Sequence, residues 1–284
     1  MDEQCARLPD GRLHLHHGPI DLVIQALGEP AQVAAAYRQA EQGFQGLLAA
    51  MVDELALLRR PLGETPPALH GPVTRRMGRA AWQFRGSFVT PMAAVAGAVA
   101  DEMLERLTAG RRLQRAYVND GGDIALYLAP GERFRSGLVS QLQAPRVDGV
   151  CVVEAAMPVR GIATSGWRGR SFSFGIADAV TVLAGDAASA DVAATLIANA
   201  VNLAHPAVRR LPARELDEDS DLGEQAVTVA VGELEAAAVA LALDRGAALA
   251  RDYWQRGLIH GAALALAGQW RILGHVLGSG DPLP

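Results

Sequence analysis

The sequence predicts an α+β fold in which a largely antiparallel sheet is flanked by helices. Two segments have apolar arms on either side of a turn, as β-hairpins do, at 13–26 and 258–273. Long runs of helix-forming residues alternate with such strands, at 31–59, 91–101, 190–201 and 233–255. Strands joined by short turns pair antiparallel, and the helices then cover the sheet.

Composition limits the classes of protein to which the chain can belong. The 284 residues are 50% hydrophobic with a net charge of −5, which disfavours nucleic acid as a partner. There is no apolar run of 18 residues and no hydrophobic signal core in MDEQCARLPDG, so we expect a cytoplasmic protein without a membrane partner. Cys5 and Cys151 are too few for a disulfide framework. All 26 basic residues are arginine, which excludes a lysine Schiff base.

The first third of the chain contains mainly packing elements. Alternation places His14 and His16 on one strand face, a spacing that zinc sites use but that surface or interface histidines explain better. Residues 31–59 have one apolar stripe, which predicts a single long helix beginning after Pro30. The prolines of 61–72 predict a loop, and 82–89 could form a strand.

Thr90-Pro91 predicts the start of a second long helix, with threonine as the N-cap. Its first turns, MAAVAGAVAD, contain almost nothing larger than valine. Small side chains allow either a ligand or another part of the protein backbone to approach closely. Tight packing is the slightly favoured explanation.

The segment 160–200 contains the most informative pattern in the chain. Two short, mostly apolar runs, 159–163 and 179–184, predict strands that end at Thr164-Ser165-Gly166 and at Gly185. Ser189 then offers an N-cap for a helix over 190–201. Asp191 and Thr195 are four residues apart, so they lie on one helix face in the first turns. A carboxylate and a hydroxyl so placed suit Mg²⁺. The alternative is that Asp191 only stabilises the helix start.

The segment Asn119-Asp120-Gly121-Gly122-Asp123 lies between two apolar arms and has two interpretations. Taken alone, it is a strong hairpin-turn signal. The other possibility is a bulged strand in which the two glycines let a ligand approach the backbone, with Asn119 and Asp123 beside the opening.

The last third of the chain adds scaffold elements. The acidic run 215–221 predicts a solvated loop. The segments 180–188 and 227–237 share the pattern V-T-V-x-x-G-acid. Coincidence explains this better in a sequence rich in alanine and valine, although the pattern still favours two similar strand-to-helix units.

Four segments together resemble the ApbE family of flavin transferases, which move FMN from FAD onto a protein threonine, and more closely its UPF0280 branch. The family pattern A-K-G-Y-x-x-D is similar to Val95–Asp101, and N-x-G-G-D-I is similar to 119–124. The T-S-G turn is 164–166, and A-D-x-x-A-T is 190–195. The order and spacing agree over roughly residues 80 to 205.

The resemblance implies an ApbE-like fold over residues 1–284, formed as a single domain whose two halves share the sheet. It implies Mg²⁺ held by Asp191 and Thr195, with FAD or FMN as a small-molecule ligand, and it makes the bulged strand the better interpretation of Gly121-Gly122. The nucleotide contacts implied by the matching segments are Ala96, Gly97, Asn119, Gly121, Gly122, Asp123, Thr164, Ser165 and Gly166. A homo-oligomer is left open.

Two departures from the family pattern bear on catalysis. The family lysine is replaced by Ala96, and the histidine segment that follows T-S-G is replaced by Ser171–Asp178. A positioned base assists an incoming nucleophile in phosphoryl transfer, and Asp178 is the candidate that remains. We therefore expect a flavin-nucleotide binding protein with weak or absent transfer. The alternatives are an active FMN transferase or FAD pyrophosphate hydrolase, and a structural protein without a ligand.

Overall fold

A computed structural model describes residues 3–139 and 147–274, which form two compact units. The first unit contains the described residues up to Phe134 together with Val153–Ala163 and Ala184–Val192. The second unit contains the other described residues. The single-domain organisation stays a prediction.

Helices and strands alternate along the chain. The helices are α1 (Pro30–Phe44), α2 (Leu47–Val52), α3 (Leu55–Leu58), α4 (Pro72–Gln83), α5 (Val95–Thr108), α6 (Ala187–Ala200), α7 (Ala213–Leu216) and α8 (Ala236–Gln255). The strands are β1 (Gln4–Arg7), β2 (Leu13–His17), β3 (Ile20–Gly28), β4 (Leu113–Asp120), β5 (Asp123–Leu128), β6 (Arg133–Leu138), β7 (Gly149–Glu154), β8 (Gly161–Ser165), β9 (Ala179–Ala184), β10 (Val208–Pro212), β11 (Ala226–Val231), β12 (Gly261–Leu266) and β13 (Gln269–Gly274).

The first unit is built on an antiparallel sheet in the order β1-β2-β3-β4-β5-β8. Helices α1 and α5 pack together on one side, where α1 contacts β3 and α5 contacts β4 and β5. Leu13, Leu22, Ile24 and Met103 are among the fully buried side chains of this core. Helix α5 therefore packs on the two strands whose connecting turn, 119–123, contains the polar residues of a predicted site segment.

The second unit contains an antiparallel set β9-β12-β13 on which α8 packs through β12 and β13. The antiparallel pair β10-β11 also belongs to this unit. The two predicted strand-to-helix units are present as β9 followed by α6 and β11 followed by α8. The predicted α+β class with a largely antiparallel sheet is confirmed.

Several local predictions are also confirmed. The run 179–184 forms β9 with the predicted bounds. The hairpin of 13–26 turns between His17 and Ile20, and that of 258–273 turns at Ala267 and Gly268. Ala267 and Gly268 both have positive φ values, 45° and 77°, as a two-residue hairpin turn of this twist requires.

The single helix predicted over 31–59 is wrong. The chain forms α1, α2 and α3 there, because Gly46 adopts a left-handed conformation with φ 70° and interrupts the first helix. The apolar stripe still indicates correctly which side is buried, since Tyr37, Phe44, Leu47 and Met51 all lie in the core.

The strand suggested for 82–89 is also absent, and the residues before it form a helix that was not predicted. Residues 72–83 form α4, with Pro72 in the first helical position. Val73, Met77, Ala80 and Ala81 are buried at helical spacing, which is the signal that could have revealed it. Thr90-Pro91 begins a short 3-10 turn over Pro91–Ala94 that leads into α5.

No helix within residues 3–139 and 147–274 is long and apolar enough to cross a bilayer.

Candidate functional site

Two aspartates tie the first turns of α5 and α6 together in the first unit. Each aspartate lies on one of the two helices and accepts hydrogen bonds from backbone amides at the start of the other helix. Asp101 of α5 accepts hydrogen bonds from the backbone N–H of Ala187, at 3.0 Å, and of Ala188, at 2.9 Å. Asp191 of α6 accepts one from the Gly97 N–H at 3.1 Å. These amides belong to first turns, whose N–H groups have no partner within their own helix. We call this arrangement the reciprocal cap.

Glycines allow the backbones to come close enough for these bonds. A Cβ atom on Gly97 would lie 2.2 Å from the Ala187 carbonyl oxygen. A Cβ on Gly161 of β8 would lie 2.1 Å from the Asp186 carbonyl carbon. The close neighbour of Gly97 in the small-residue stretch of α5 is therefore protein backbone, at the start of α6.

The N-cap of α6 is Asp186 and not Ser189, which corrects the sequence analysis. The helix begins at Ala187, and the Asp186 carboxylate accepts a hydrogen bond from the Ser189 N–H at 2.7 Å. An aspartate in this position accepts a hydrogen bond from a first-turn amide, and the positive potential at the helix N-terminus stabilises its negative charge. The Ser189 hydroxyl accepts a bond from the Gln83 side chain at 3.3 Å.

Four carboxylates influence one another around the reciprocal cap. Burial, with a smaller contribution from the nearby charge of Asp186, raises the pKa of Asp101 to about 7, although the two amide bonds act in the opposite direction. Burial also raises the pKa of Asp191, with smaller contributions from Asp120 and Asp101. Ionising these side chains costs free energy, and a bound cation would offset that cost.

Asp120, Asp101 and Asp186 were not among the predicted site residues. Asp120 ends β4, is 5% exposed and accepts a hydrogen bond from the Asp21 N–H at 3.4 Å. Its place in the matching segment 119–124 was the available signal, but only the three-dimensional structure shows its charge acting on Asp191. Asp101 likewise ends the matching segment Val95–Asp101, whereas its partners on α6 could not be deduced.

The segment 119–123 forms a hairpin, so the bulged-strand interpretation is wrong. Asp120 pairs with Asp123, and Gly121 and Gly122 form the two-residue turn with φ values of 64° and 119°. Glycine favours such positive φ values in a tight hairpin. The Asn119 side chain accepts a hydrogen bond from the Gly122 N–H at 2.8 Å, which holds the turn. Asn119, Gly122 and Asp123 are half-buried and Gly121 is exposed.

The T-S-G turn and Asp178 lie in the second unit. The exposed Thr164 shares a hydrogen bond with Thr181 at 2.9 Å between hydroxyl oxygens, and Ser165 is half-buried. Gly166 is buried, and a Cβ there would lie 2.4 Å from the Asp178 carbonyl oxygen. The Asp178 carboxylate accepts a bond from the Ala267 N–H at 2.7 Å and pairs with Arg168 at 3.5 Å.

The predicted site residues thus divide into two groups. Ala96, Gly97, Asp191 and the hairpin 119–123 belong to the first unit, where Gly97 and Asp191 are in contact. Thr164, Ser165, Gly166 and Asp178 belong to the second unit. Thr195 is half-buried one helical turn beyond Asp191, in the part of α6 assigned to the second unit.

The donor set at the reciprocal cap fits a hard divalent cation. Mg²⁺ binds through one or two carboxylates and completes its coordination with water and ligand phosphates. Asp191 and the adjacent Asp120 offer such oxygens, and their mutual repulsion is the feature that a cation would relieve. No group of three or more His, Cys, Asp or Glu side chains is arranged to hold a metal within 3–139 and 147–274. The residues present therefore fit a cation whose coordination is completed partly by water and by the phosphates of a bound nucleotide.

A cleft of 520 Å³ lies elsewhere in the first unit, and none of the predicted site residues lines it. Its lining residues are Arg115, Gly131, Glu132, Arg133, Glu154, Ala155 and Ala156.

One family model matches most of the chain. Residues 5–272 match the model of the family described as AbpE bacteria, so the chain belongs to that family. Among curated proteins it is similar to a UPF0280 protein of Methanothermobacter thermautotrophicus, with 38% identity over 139 residues that cover 46% of this chain and 48% of that protein. A UPF0280 protein of Methanopyrus kandleri is 34% identical over 169 residues, covering 55% and 61%. The predicted relation to the ApbE family near its UPF0280 branch is confirmed.

The chain spans about half the length of the curated relatives it matches. Among solved structures, it is similar to the apo form of flavinyl transferase ApbE from Pseudomonas stutzeri. The identity is 14% and the TM-score 0.48, with 99% of this chain and 97% of that chain covered.

Proposed function

We propose that this protein binds a flavin nucleotide, FAD or FMN, together with Mg²⁺ at the reciprocal cap. The observation that carries the proposal is the concentration of four aspartates around the two helix starts, where burial and mutual repulsion raise the pKa of Asp101 and Asp191. A divalent cation between such a cluster and a pyrophosphate would neutralise charge of both. The names of similar proteins, which include a flavinyl transferase, favour a flavin nucleotide over other phosphate ligands.

The residues have separate roles in this proposal. Asp191 and Thr195 hold the cation, and Asp120 adds negative charge beside Asp191. The amides of the two helix starts already donate to Asp101 and Asp191, so the nucleotide phosphates are expected to reach the protein mainly through the cation. Further nucleotide contacts are assigned to Ala96, Gly97, Asn119, Gly121, Gly122, Asp123, Thr164, Ser165 and Gly166. The partner is a small molecule, and neither nucleic acid nor a membrane is proposed.

The second candidate function is Mg²⁺-dependent transfer of FMN, or hydrolysis of the FAD pyrophosphate. It is favoured by the polar group at Asp178, which is half-buried and close to the T-S-G turn through Gly166. However, the Asp178 carboxylate is occupied by the Ala267 amide and by Arg168. A general base must be within hydrogen-bond reach of the proton that it removes, so these partners make Asp178 a poor base.

FAD and Mg²⁺ together are expected to raise the melting temperature, and a chelator should remove most of that effect. At a hundredfold excess over Kd, linkage predicts roughly 2.7 kcal/mol of stabilisation. For a chain of this size, that corresponds to a shift of about 5–10 °C. Thermal unfolding followed with FAD, FMN and an adenine nucleotide, each with and without Mg²⁺, is the measurement.

Asp191→Asn and Asp191→Ala separate cation binding from helix capping. Asparagine keeps an oxygen that can accept the Gly97 N–H, whereas alanine removes it. Asp191→Asn should therefore retain most of the stability of the ligand-free protein and lose the Mg²⁺-dependent shift. Asp191→Ala should lose the shift and also roughly 1 kcal/mol of stability. A full Mg²⁺-dependent shift in Asp191→Asn would exclude Asp191 as the cation ligand, and no shift with any nucleotide in the native protein would exclude the proposed function.

A further inference from the structure

We propose that Asp101 is a positioning residue, which fixes the direction of the Asp191 carboxylate by tying the start of α6 to α5. The effect of Asp101 on cation binding rests on the proposed function. Its structural part, the coupling of Asp101 to Asp191, can be tested independently of any ligand.

The contacts form a closed ring. Asp101 lies one helical turn after Gly97 on α5, and Asp191 lies one turn after Ala187 on α6. The Asp101 carboxylate bonds to the Ala187 amide, and the Asp191 carboxylate bonds to the Gly97 amide. Two helical turns and two side-chain bonds therefore close a loop in which each carboxylate holds the backbone that carries the other.

Asp101 does more than satisfy the start of a helix. Asp186 already caps α6 locally, by accepting from the Ser189 N–H. Asp101 uses both carboxylate oxygens on the two preceding amides, those of Ala187 and Ala188. Both residues cap the same helix turn, but only the bonds of Asp101 connect that turn to α5.

The separation between the helices leaves little freedom for another arrangement. The Ala187 carbonyl is so close to Gly97 that even a methyl group would not fit between them. If the Asp101 bonds are lost, the start of α6 is no longer tied to α5 by this side chain, and any shift of that helix start also displaces the Asp191 carboxylate. Loss of Asp101 should therefore weaken the bond from the Gly97 N–H to Asp191, although Asp101 does not contact that amide.

The test is amide hydrogen exchange, resolved by residue, in Asp101→Ala and in Asp186→Ala as the matched control. Alanine is a good helix former, so Asp101→Ala leaves the intrinsic preference of α5 intact. In Asp101→Ala we expect the amides of Ala187, Ala188 and Gly97 to exchange at least about tenfold faster than in the native protein. In Asp186→Ala the Ser189 amide should exchange faster while Gly97 keeps its protection.

Global destabilisation is controlled in two ways. The amide of Ile24, which is fully buried in β3, reports opening of the whole first unit. Its exchange rate should stay at the native value when the exchange rate of the Gly97 amide rises. Asp101→Asn is the milder variant, because one amide oxygen can still accept one of the two α6 amides. It should give an intermediate effect at Gly97. Native protection of Gly97 in both Asp101 variants would overturn the proposal.

The consequence for the cation is measured separately. The Mg²⁺ concentration that gives half of the FAD-dependent melting shift should rise several-fold in Asp101→Ala. It should rise clearly less in Asp186→Ala, which removes one of the four charges but leaves the bonds between α5 and α6 in place. An unchanged midpoint in Asp101→Ala would show that Asp101 does not position a cation ligand. If the native protein shows no Mg²⁺-dependent shift, the proposed function fails, whereas the exchange of Gly97 still decides whether Asp101 and Asp191 are coupled.

Discussion

Replacing Gly97 by alanine is expected to destabilise the folded protein by roughly 2 kcal/mol. The added methyl carbon would lie 2.2 Å from the Ala187 carbonyl oxygen and 2.7 Å from the Ala188 nitrogen, so the backbone of α6 must move. Overpacking of this kind costs roughly 1–3 kcal/mol, and contact with backbone belongs at the upper end. The higher helix propensity of alanine than of glycine offsets about 1 kcal/mol of this destabilisation.

Chemical denaturation, with the midpoint and slope compared with the native protein, measures this effect. Gly43→Ala in α1 is the control, because its added methyl group would meet only the Arg106 side chain and no backbone, so that the adjustment falls on the Arg106 bonds to Glu102 and to the Gly43 carbonyl. That variant should change the free energy of unfolding by less than about 1 kcal/mol. If Gly97→Ala is as stable as Gly43→Ala, the close approach of α5 and α6 is not a property of the protein in solution.

Incubation with FAD, Mg²⁺ and a threonine-containing acceptor peptide is expected to give little or no flavinylated peptide. An alcohol is a poor nucleophile at neutral pH, and a positioned base typically contributes roughly 10²–10⁴-fold. Residues 171–178 contain no histidine, and the Asp178 carboxylate is held by the Ala267 amide and Arg168. Slow hydrolysis to AMP and FMN would be easier, because water needs no acceptor site.

Mass spectrometry of the peptide and chromatography of the nucleotides distinguish the outcomes. The flavinyl transferase of Pseudomonas stutzeri, assayed with the same peptide, is the positive control for the acceptor. Flavinylation at a comparable rate would refute the expectation, and Asp178→Asn would then show whether Asp178 is the base. AMP and FMN without labelled peptide would indicate a hydrolase, and bound but unchanged FAD would indicate a binding protein.

The elements that the sequence predicted well are those encoded by neighbouring residues. The run 179–184 is β-branched and ends at Gly185, and it forms β9 with the predicted bounds. Local turn chemistry alone predicts the hairpin at Gly121-Gly122 correctly. The family resemblance favoured the bulged strand instead, and that interpretation is wrong. The resemblance indicated the family, but a glycine pair that also suits a tight turn does not reveal its conformation.

The candidate site could be predicted only in part, because its main contacts join distant segments. Asp191 was identified from its position in a helix start, yet its bond to Gly97 crosses 94 residues of sequence. Helix α4 was missed because its arginines and the preceding prolines obscured a short apolar stripe. The break in the helix predicted over 31–59 depends on the left-handed conformation of Gly46, which a stripe of apolar residues does not signal.

The reciprocal cap also has a consequence for how the chain is made. The Asp101 carboxylate and the Ala187 amide are 86 residues apart, and β8, which pairs with β5, is likewise synthesised late. A nascent chain that has reached only Phe134 therefore lacks the strand that covers β5 and the helix that caps α5. Uncovered strand edges pair readily with other chains, and contacts over such sequence distances form slowly. The N-terminal half should thus depend on completion of synthesis past Val192, and a ribosome pause before Ala184 would leave it prone to aggregation.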